Sequence, residues 1–344
     1  MIISQTPLRV SFFGGGTDIA EFYQQHGGLV LSSTIDKFVY IIVKARYDDR
    51  IVLNYSEREV VDSVDDIRHN IFRETLRLVG ITGGLEITSI ADIPSQGSGL
   101  GSSSSFTVGL VNALYAFLGD QKGPREIAEI ACRIEIEILK EPIGKQDQYA
   151  AAFGGFRSYR FLPTGEVEVK SLAVRDNEKL ALEGVCRMFF TGITRKASAV
   201  LSDQLKNLSS REAELLAIKQ IAETSAHVLE RGDARGLGEL LDQSWQEKRR
   251  ISSKISSPEI DGIYSRAMEA GALRGKAPGC RGGGVLLLCS PQRSTLSVEG
   301  CHERTGPTTV LIHATWNQDP SERRRQCRAA GLAEAPSGAS IALY

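Results

Sequence analysis

Residues 94–105 read Pro-Ser-Gln-Gly-Ser-Gly-Leu-Gly-Ser-Ser-Ser-Ser, and an apolar pattern with helical spacing follows at once through Phe106, Leu110, Ala113, Leu114 and Phe117 to Gly119. This junction constrains the chain more than any other stretch. Glycine lets a backbone take positive φ and approach a ligand closely. The serines fall at a helix start, where the first N–H groups have no partner within the helix. Loop and helix start together predict an anion site, most naturally for phosphate. Its residues are Pro94, Gly97, Ser98, Gly99, Leu100, Gly101, Ser102, Ser103 and Ser104. The hydroxyls add donors and hard oxygens of the kind Mg²⁺ takes. A flexible Gly/Ser linker shares this composition, but a linker gives no reason for an amphipathic helix to begin at its end. The loop lacks Gly-Lys-Ser/Thr, so it is not a Walker A. Its Gly-x-Gly-x-x spacing ends on Ser102 and no ribose-binding acid is identifiable, so it is not a sound dinucleotide fingerprint.

Glycine is in excess along the chain, 34 of 344 residues, against roughly 7% on average. It gathers in two further places. Residues 7–18 run Pro-Leu-Arg-Val-Ser-Phe-Phe-Gly-Gly-Gly-Thr-Asp, so a strand delivers Arg9 and a tight turn delivers Gly15, Gly16, Thr17 and Asp18. Residues 271–284 end in Gly282, Gly283 and Gly284 and lead into an apolar strand. Taken singly, each is an ordinary turn. Their force lies in the combination.

Hydrophobic periodicity predicts an α+β chain. Strands are expected over residues 2–16, over 29–46 as a pair or as one long bent strand, over 51–61, 84–90 and 185–191, and up to Cys289. Helices are expected over 65–79, from Ser102 to Gly119, from Pro124 through Ile127, Ile130, Ile134 and Ile138, and over 211–230, 236–250 and 261–269. At roughly 150 residues per domain the length suits two domains. The expected boundary lies at 185, giving 1–185 and 186–344.

Charge and cysteine use exclude several classes. Lys+Arg number 41 and Asp+Glu 42, a net charge of −1, which argues against a nucleic-acid partner held by bulk positive charge. No apolar run approaches the ~20 residues of a membrane span, and the first residues lack the basic and apolar regions of a signal peptide. The six cysteines stand far apart without a Cys-x-x-Cys, so neither a zinc site nor a disulfide scaffold is expected. A cytoplasmic location is the simplest expectation. Arg323, Arg324, Arg325 and Arg328 read as a solvated helix face, with a basic anion-binding tail as the alternative.

In their order and separation, the three glycine clusters resemble those of the GHMP kinases, the family of galactokinase, homoserine kinase, mevalonate kinase and phosphomevalonate kinase. The family's middle motif, Pro-x-x-x-Gly-Leu-Gly-Ser-Ser, is matched from Pro94 to Ser103 with at most two extra loop positions. Residues 9–18 (RVSFFGGGTD), 144–155 (GKQDQYAAAFGG), 191–198 (TGITRKAS) and 245–250 (WQEKRR) look most like the branch acting on D-glycero-D-manno-heptose 7-phosphate. The likeness covers about residues 1–290.

The resemblance implies a two-domain GHMP kinase fold. An N-terminal ATP-binding domain would hold a left-handed β-α-β nucleotide site, and a mixed helix–sheet C-terminal domain would face it across the active site. It implies ATP and Mg²⁺ as cofactors. Ser103 and Glu135 match the metal ligands, Asp147 the catalytic base, and Arg9 an arginine near the reacting hydroxyl and transferred phosphoryl. Asp18 matches a sugar-hydroxyl acceptor, with Gly15, Gly16, Thr17, Thr194, Arg195, Lys196, Gly282 and Gly283 completing the substrate side. A substrate already bearing phosphate needs a second anion site, for which Arg195 leads and Lys196, Lys248 and Arg249 follow. The implied reaction is phosphorylation at C1, feeding nucleotide-activated heptose for surface polysaccharide. The implied partners are a sugar phosphate and ATP, with no nucleic acid and no membrane, and a homo-oligomer is compatible with the sequence. Two alternatives stay open: a kinase for fucose, galactose or a mannose derivative, and a nucleotide- or sugar-binding protein with impaired catalysis. The second is motivated by Arg281, where the family pattern expects a small residue, and by an atypical segment after about residue 290.

Overall fold

The computed structural model describes residues 1–93, 98–191, 211–252, 255–276, 284–290, 310–312 and 340–343. Its strands are β1 (Ile2–Phe13), β2 (Gly28–Ala45), β3 (Ile51–Asn54), β4 (Arg58–Val61), β5 (Leu85–Ala91), β6 (Arg157–Phe161), β7 (Val167–Ser171), β8 (Cys186–Phe190), β9 (Arg274–Lys276), β10 (Val285–Cys289), β11 (Val310–Ile312) and β12 (Ser340–Leu343). Its helices are α1 (Ala20–His26), α2 (Asn70–Val79), α3 (Ser102–Phe117), α4 (Pro124–Cys132), α5 (Gln146–Phe153), α6 (Asp176–Val185), α7 (Glu212–Glu230), α8 (Ala234–Ile251) and α9 (Pro258–Glu269). The chain is α+β, as the sequence predicts. Among the described residues no helix is long and apolar enough to cross a membrane.

The first sheet runs β12-β1-β2-β5-β3-β4, with the β6–β7 hairpin attached to β2. All its ladders are antiparallel except β3 with β5. β2 is one long bent strand. Its register against β1 jumps from Pro7↔Phe38 to Arg9↔Thr34, so three residues of β2 oppose Leu8 alone. Pro7 has no N–H for a ladder, and a bulge of this kind bends a strand and re-aims its side chains. Beyond the bend, one part of β2 pairs with β6 and the other with β5. Arg9 sits just past the bend. Its N–H therefore leaves the ladder's pattern and donates to the Leu100 carbonyl of the glycine–serine loop at 3.0 Å.

The second sheet, β11-β8-β10-β9, is antiparallel. α6 ends at Val185 and β8 begins at Cys186, so the expected boundary lies between these two elements. One apolar cluster nevertheless runs from Leu8, Phe12 and Ile41 of the first sheet to Leu241, Val285 and Leu287 beside the second. A further cluster packs Trp245 and Ile218 against Phe189 and Leu286. Burying such side chains stabilises by about 1.5–3 kcal/mol each, which fixes α8 firmly against the sheet.

Three expectations needed revision. The helix expected over 65–79 is a single 3₁₀ turn, Val64–Asp66, followed by α2 from Asn70. Between them the buried Glu59 carboxylate accepts the N–H groups of Arg68 (2.7 Å) and His69 (3.2 Å), which breaks the helical run. The helix from Pro124 ends as α-helix at Cys132 and continues as a π-helical turn over Arg133–Ile138. The wider turn rotates the face, so Ile138 is 40% exposed while Glu135 is 1% exposed. The 3–4 residue apolar spacing that predicted a continuous stripe fails there. Finally, α1, α5, α6 and the β6–β7 hairpin fall where no element was expected.

Candidate active site

The glycine–serine loop turns through two left-handed positions, Gly99 (φ 75°) and Gly101 (φ 77°), and Gly101 caps α3. A glycine cap has no side chain, so the first N–H groups of α3 stay available to an anion. The serines of the loop and helix start divide their work. Ser98 and Ser102 join hydroxyl to hydroxyl at 2.9 Å, and Ser105 donates to the Pro7 carbonyl at 2.9 Å. Ser103 alone of the four in α3 is exposed. Its hydroxyl donates to Glu135 Oε1 at 3.2 Å. Leu100, expected among the ligand contacts, buries its side chain in the core and contributes backbone only.

Glu135 projects inward from the π-helical turn, a distortion often found at functional sites. Gln148 Nε2 donates to its Oε2 at 2.6 Å. Burial pushes the Glu135 carboxyl up to about 7; hydrogen bonds from Gln148, Ser104 and Ser103 pull against this, and the charge of Asp147 adds to it. A buried carboxylate beside an exposed hydroxyl is a donor set for a hard cation. Mg²⁺ keeps waters and phosphate oxygens as its remaining ligands, so Ser103 and Glu135 fit that ion.

Asp147 lies in the first turn of α5 and is about a quarter exposed. It accepts from Arg9 Nε at 2.7 Å and pairs with Arg9 Nη2. The other arm of Arg9, Nη1, donates to the Gly99 carbonyl at 2.8 Å. Arg9 is 4% exposed. One guanidinium thus ties a carboxylate to the glycine–serine loop.

Asp18 is buried, and its oxygens accept from Gly16 N (3.0 Å), Gln146 N (3.2 Å) and Gln146 Nε2 (3.1 Å). Burial and then the charge of Asp147 push its carboxyl up, while the backbone donors pull it back. Thr17 is spent inside the turn, donating to the Gly14 carbonyl at 2.8 Å. Gly15 is buried beside Lys248: a Cβ there would lie 3.6 Å from Lys248 Nζ and 3.7 Å from Gln146 Nε2. The third glycine cluster reaches the same place. Val285 N donates to the Ser98 carbonyl at 3.1 Å, and Thr191 Oγ1 to the Gly284 carbonyl at 2.9 Å.

Arg9, Asp18, the loop from Ser98, Glu135 and Asp147 therefore converge. Pro94, Gly97, Thr194, Arg195, Lys196, Arg281, Gly282, Gly283 and the basic tail lie outside the described residues. Lys248 and Arg249 separate: Lys248 is buried, whereas Arg249 pairs with Asp261 at 2.7 Å on the surface. Gln146 and Gln148, which hold the two buried carboxylates, had no sequence signal beyond their place in GKQDQ.

The family model described as the GHMP kinases N terminal domain matches residues 66–155, and the GHMP kinases C terminal model matches 225–296. The D-glycero-alpha-D-manno-heptose 7-phosphate kinase of Campylobacter jejuni is 33% identical over 301 residues, covering 83% of this chain and 88% of the relative. A galactokinase of Pyrococcus furiosus is 24% identical, with 83% and 88% covered. Among solved structures, a D-glycero-D-manno-heptose 1-phosphate kinase from Bacteroides thetaiotaomicron superposes with a TM-score of 0.76 at 25% identity, covering 93% of this chain and 97% of that one.

Proposed function

The chain belongs to the GHMP kinases and is an ATP-dependent sugar kinase, and from that premise we propose that it phosphorylates the C1 hydroxyl of D-glycero-D-manno-heptose 7-phosphate. The observation that carries the reading is the Arg9 bridge between the Asp147 carboxylate and the Gly99 carbonyl. It sets a base and a cation side by side at the mouth of an anion-binding loop.

In the proposed reaction the acceptor oxygen bonds to the γ-phosphorus of ATP, the bond from that phosphorus to the β,γ-bridging oxygen breaks, and ADP leaves. Asp147 orients the attacking hydroxyl and accepts its proton. Arg9 turns its N–H groups to the transferred phosphoryl, whose charge is spread over its outer oxygens. The loop from Pro94 to Ser104 and the start of α3 cradle the remaining phosphates. Ser103 and Glu135 would hold Mg²⁺, which supplies charge neutralisation between the phosphates. Gly15, Gly16, Thr17 and Asp18 shape the acceptor side, with Asp18 fixing Gly16 and Gln146. Thr194, Arg195, Lys196, Gly282 and Gly283 are proposed to complete it. On this reading residues 1–185 carry the nucleotide site and 186–344 close over the acceptor, and the product enters nucleotide-activated heptose synthesis.

A panel of sugars and sugar phosphates with ATP, read by phosphorus NMR, tests the proposal. A new anomeric phosphate on heptose 7-phosphate is expected. Higher kcat/KM on unphosphorylated fucose, galactose or mannose would replace the substrate. Phosphorylation at C7 of a heptose 1-phosphate would replace the site.

A further inference from the structure

The turn after β1 holds three glycines in a row, and the backbone requires only two of them. Gly14 (φ 84°) and Gly16 (φ 106°) are left-handed, and a Cβ on Gly14 would run into the Leu29 carbonyl oxygen. Gly15 is under neither constraint. Its φ lies outside the left-handed region, and the atoms nearest to a Cβ there would be Ser11 Oγ at 3.4 Å, Lys248 Nζ at 3.6 Å and Gln146 Nε2 at 3.7 Å. These are ordinary contact distances. The buried Gly15 therefore borders a space that would take a methyl group, and the three atoms nearest that space are all polar. Two of the side chains are incompletely used. Ser11 is 3% exposed, and its Oγ has no hydrogen-bond partner among the described residues. Gln146 gives its Nε2 to Asp18 Oδ1 at 3.1 Å, which fixes the orientation of the amide. Its Oε1 is buried and likewise unpartnered among the described residues. Buried polar atoms left unmet are costly, and natural proteins hold few of them without a use.

Building on the function proposed above, we propose that Ser11 and Gln146 seat one hydroxyl of the acceptor sugar in the space over Gly15. A hydroxyl donates one hydrogen bond and accepts two. It can accept from Ser11 Oγ and donate to Gln146 Oε1, which a hydrogen or a methyl group on the same sugar carbon cannot do. The seat belongs to the acceptor side, because Gln146 is bonded to Asp18 and is followed directly by Asp147, the proposed base. Glycine at position 15 then serves the ligand rather than the backbone, since any Cβ would occupy the seat. The pair fixes the sugar through one hydroxyl while Asp147 acts on another.

The test uses the full chain with Gly15→Ala and Ser11→Ala. Gly15→Ala should melt no lower than the parent, because alanine suits that backbone and restricts the unfolded chain. Its KM for the acceptor should nonetheless rise about tenfold or more, as the methyl group overfills the seat, with KM for ATP unchanged. Ser11→Ala removes a hydroxyl that has no partner in the free protein, so its Tm should hold while KM for the acceptor rises about fivefold. Monodeoxy acceptors identify the hydroxyl. One of them should lose about fivefold or more in kcat/KM with the parent, and with Ser11→Ala it should be used no worse than with the parent. An unchanged acceptor KM in both variants overturns the seat. A lowered Tm in Ser11→Ala with acceptor KM unchanged also overturns it, giving the space to a buried water that braces the turn. Losses from Ser11→Ala that are equal on every deoxy acceptor overturn it as well, since no hydroxyl is then read there. If the parent prefers another sugar to heptose 7-phosphate and both variants weaken that sugar as described, the seat survives and the substrate assignment falls. If the parent accepts heptose 7-phosphate and both variants match it, the seat falls and the substrate assignment stands.

Discussion

Replacing Asp147 by Asn changes one atom type at the centre of the site. The amide oxygen can still accept from Arg9 Nε, now at 2.7 Å. Arg9 Nη2 meets the same oxygen, Oδ1, so that contact is kept as well and only its charge is lost. Losing a charge-assisted bond in favour of a neutral one costs about 1–2 kcal/mol of stability, which leaves the protein folded at assay temperature. The chemical step loses far more. A positioned base contributes about 10²–10⁴-fold, equivalent to about 2.7–5.4 kcal/mol in the barrier. Asp147→Asn should therefore lower kcat at least 100-fold with KM for ATP little changed, because the loop and α3 are untouched. Steady-state kinetics with both substrates varied reads this directly. Asp147 has a second task, holding Arg9, and a double-mutant cycle separates the two. In an Arg9→Ala background Asp147→Asn should still cost most of its factor. Turnover within about threefold of the parent would refute the base assignment. A cycle in which the second substitution costs nothing would reduce Asp147 to a clamp for Arg9.

Glu135→Ala should raise the Mg²⁺ concentration for half-maximal activity about tenfold or more, with partial recovery at high Mg²⁺, measured by titration; an unchanged titration would remove Glu135 from the metal site. Gly101→Ala would put a Cβ 3.2 Å from Arg9 Cγ at a left-handed position, costing about 1–2 kcal/mol of backbone strain and displacing the guanidinium, so both Tm and kcat should fall. His69 packs against Tyr55, Phe72 and Phe106, and burial holds its imidazole below the ordinary value of 6.5. A lowered histidine leaves its full contribution in place above about pH 6.5, with loss as pH falls through the folded value. His69→Phe should flatten that acid-side loss in chemical denaturation below about pH 6.5.

Much of the fold was legible because its elements announce themselves by period or by punctuation. α3 starts at Ser102 as the loop-to-helix junction predicts, and α8 carries its apolar stripe openly. The stretch 29–46 reads as a pair of strands or as one long bent strand, and the structure has the second, bent where Pro7 across from it cannot complete the ladder. The unread elements lack such signals. α5 is Gln-Asp-Gln-Tyr-Ala-Ala-Ala-Phe, in which alanines make the buried face and give little amphipathic contrast. α1 has only seven residues, too few to establish a helical period. The π-helical turn is illegible in principle to a 3.6-residue template. It is also what carries Glu135 inward at the expense of Ile138.

The candidate site was legible to the extent that one stretch of chain is proposed to bind one ligand through backbone. Glycines and serines at a helix start name their own use, and Arg9 and Asp147 came with motifs of their own. Residues that act only through charge balance across the fold have no such mark. Lys276 follows a glycine in a three-residue strand, and within the third glycine cluster nothing in the sequence marks it as buried. Only its burial, 4% exposed, with Lys248 and Arg9 as neighbouring charges, sets it apart. Lys248 did carry a signal, because 237, 241, 245 and 248 are one helical face and a cation on such a face must be used or neutralised. Arg249, one position on and turned to Asp261, shows how little the charge alone says. A helix face therefore discriminates between neighbouring basic residues that composition treats alike, and the same rule ranks Lys248 above Arg249 for mutation before any substrate is tried.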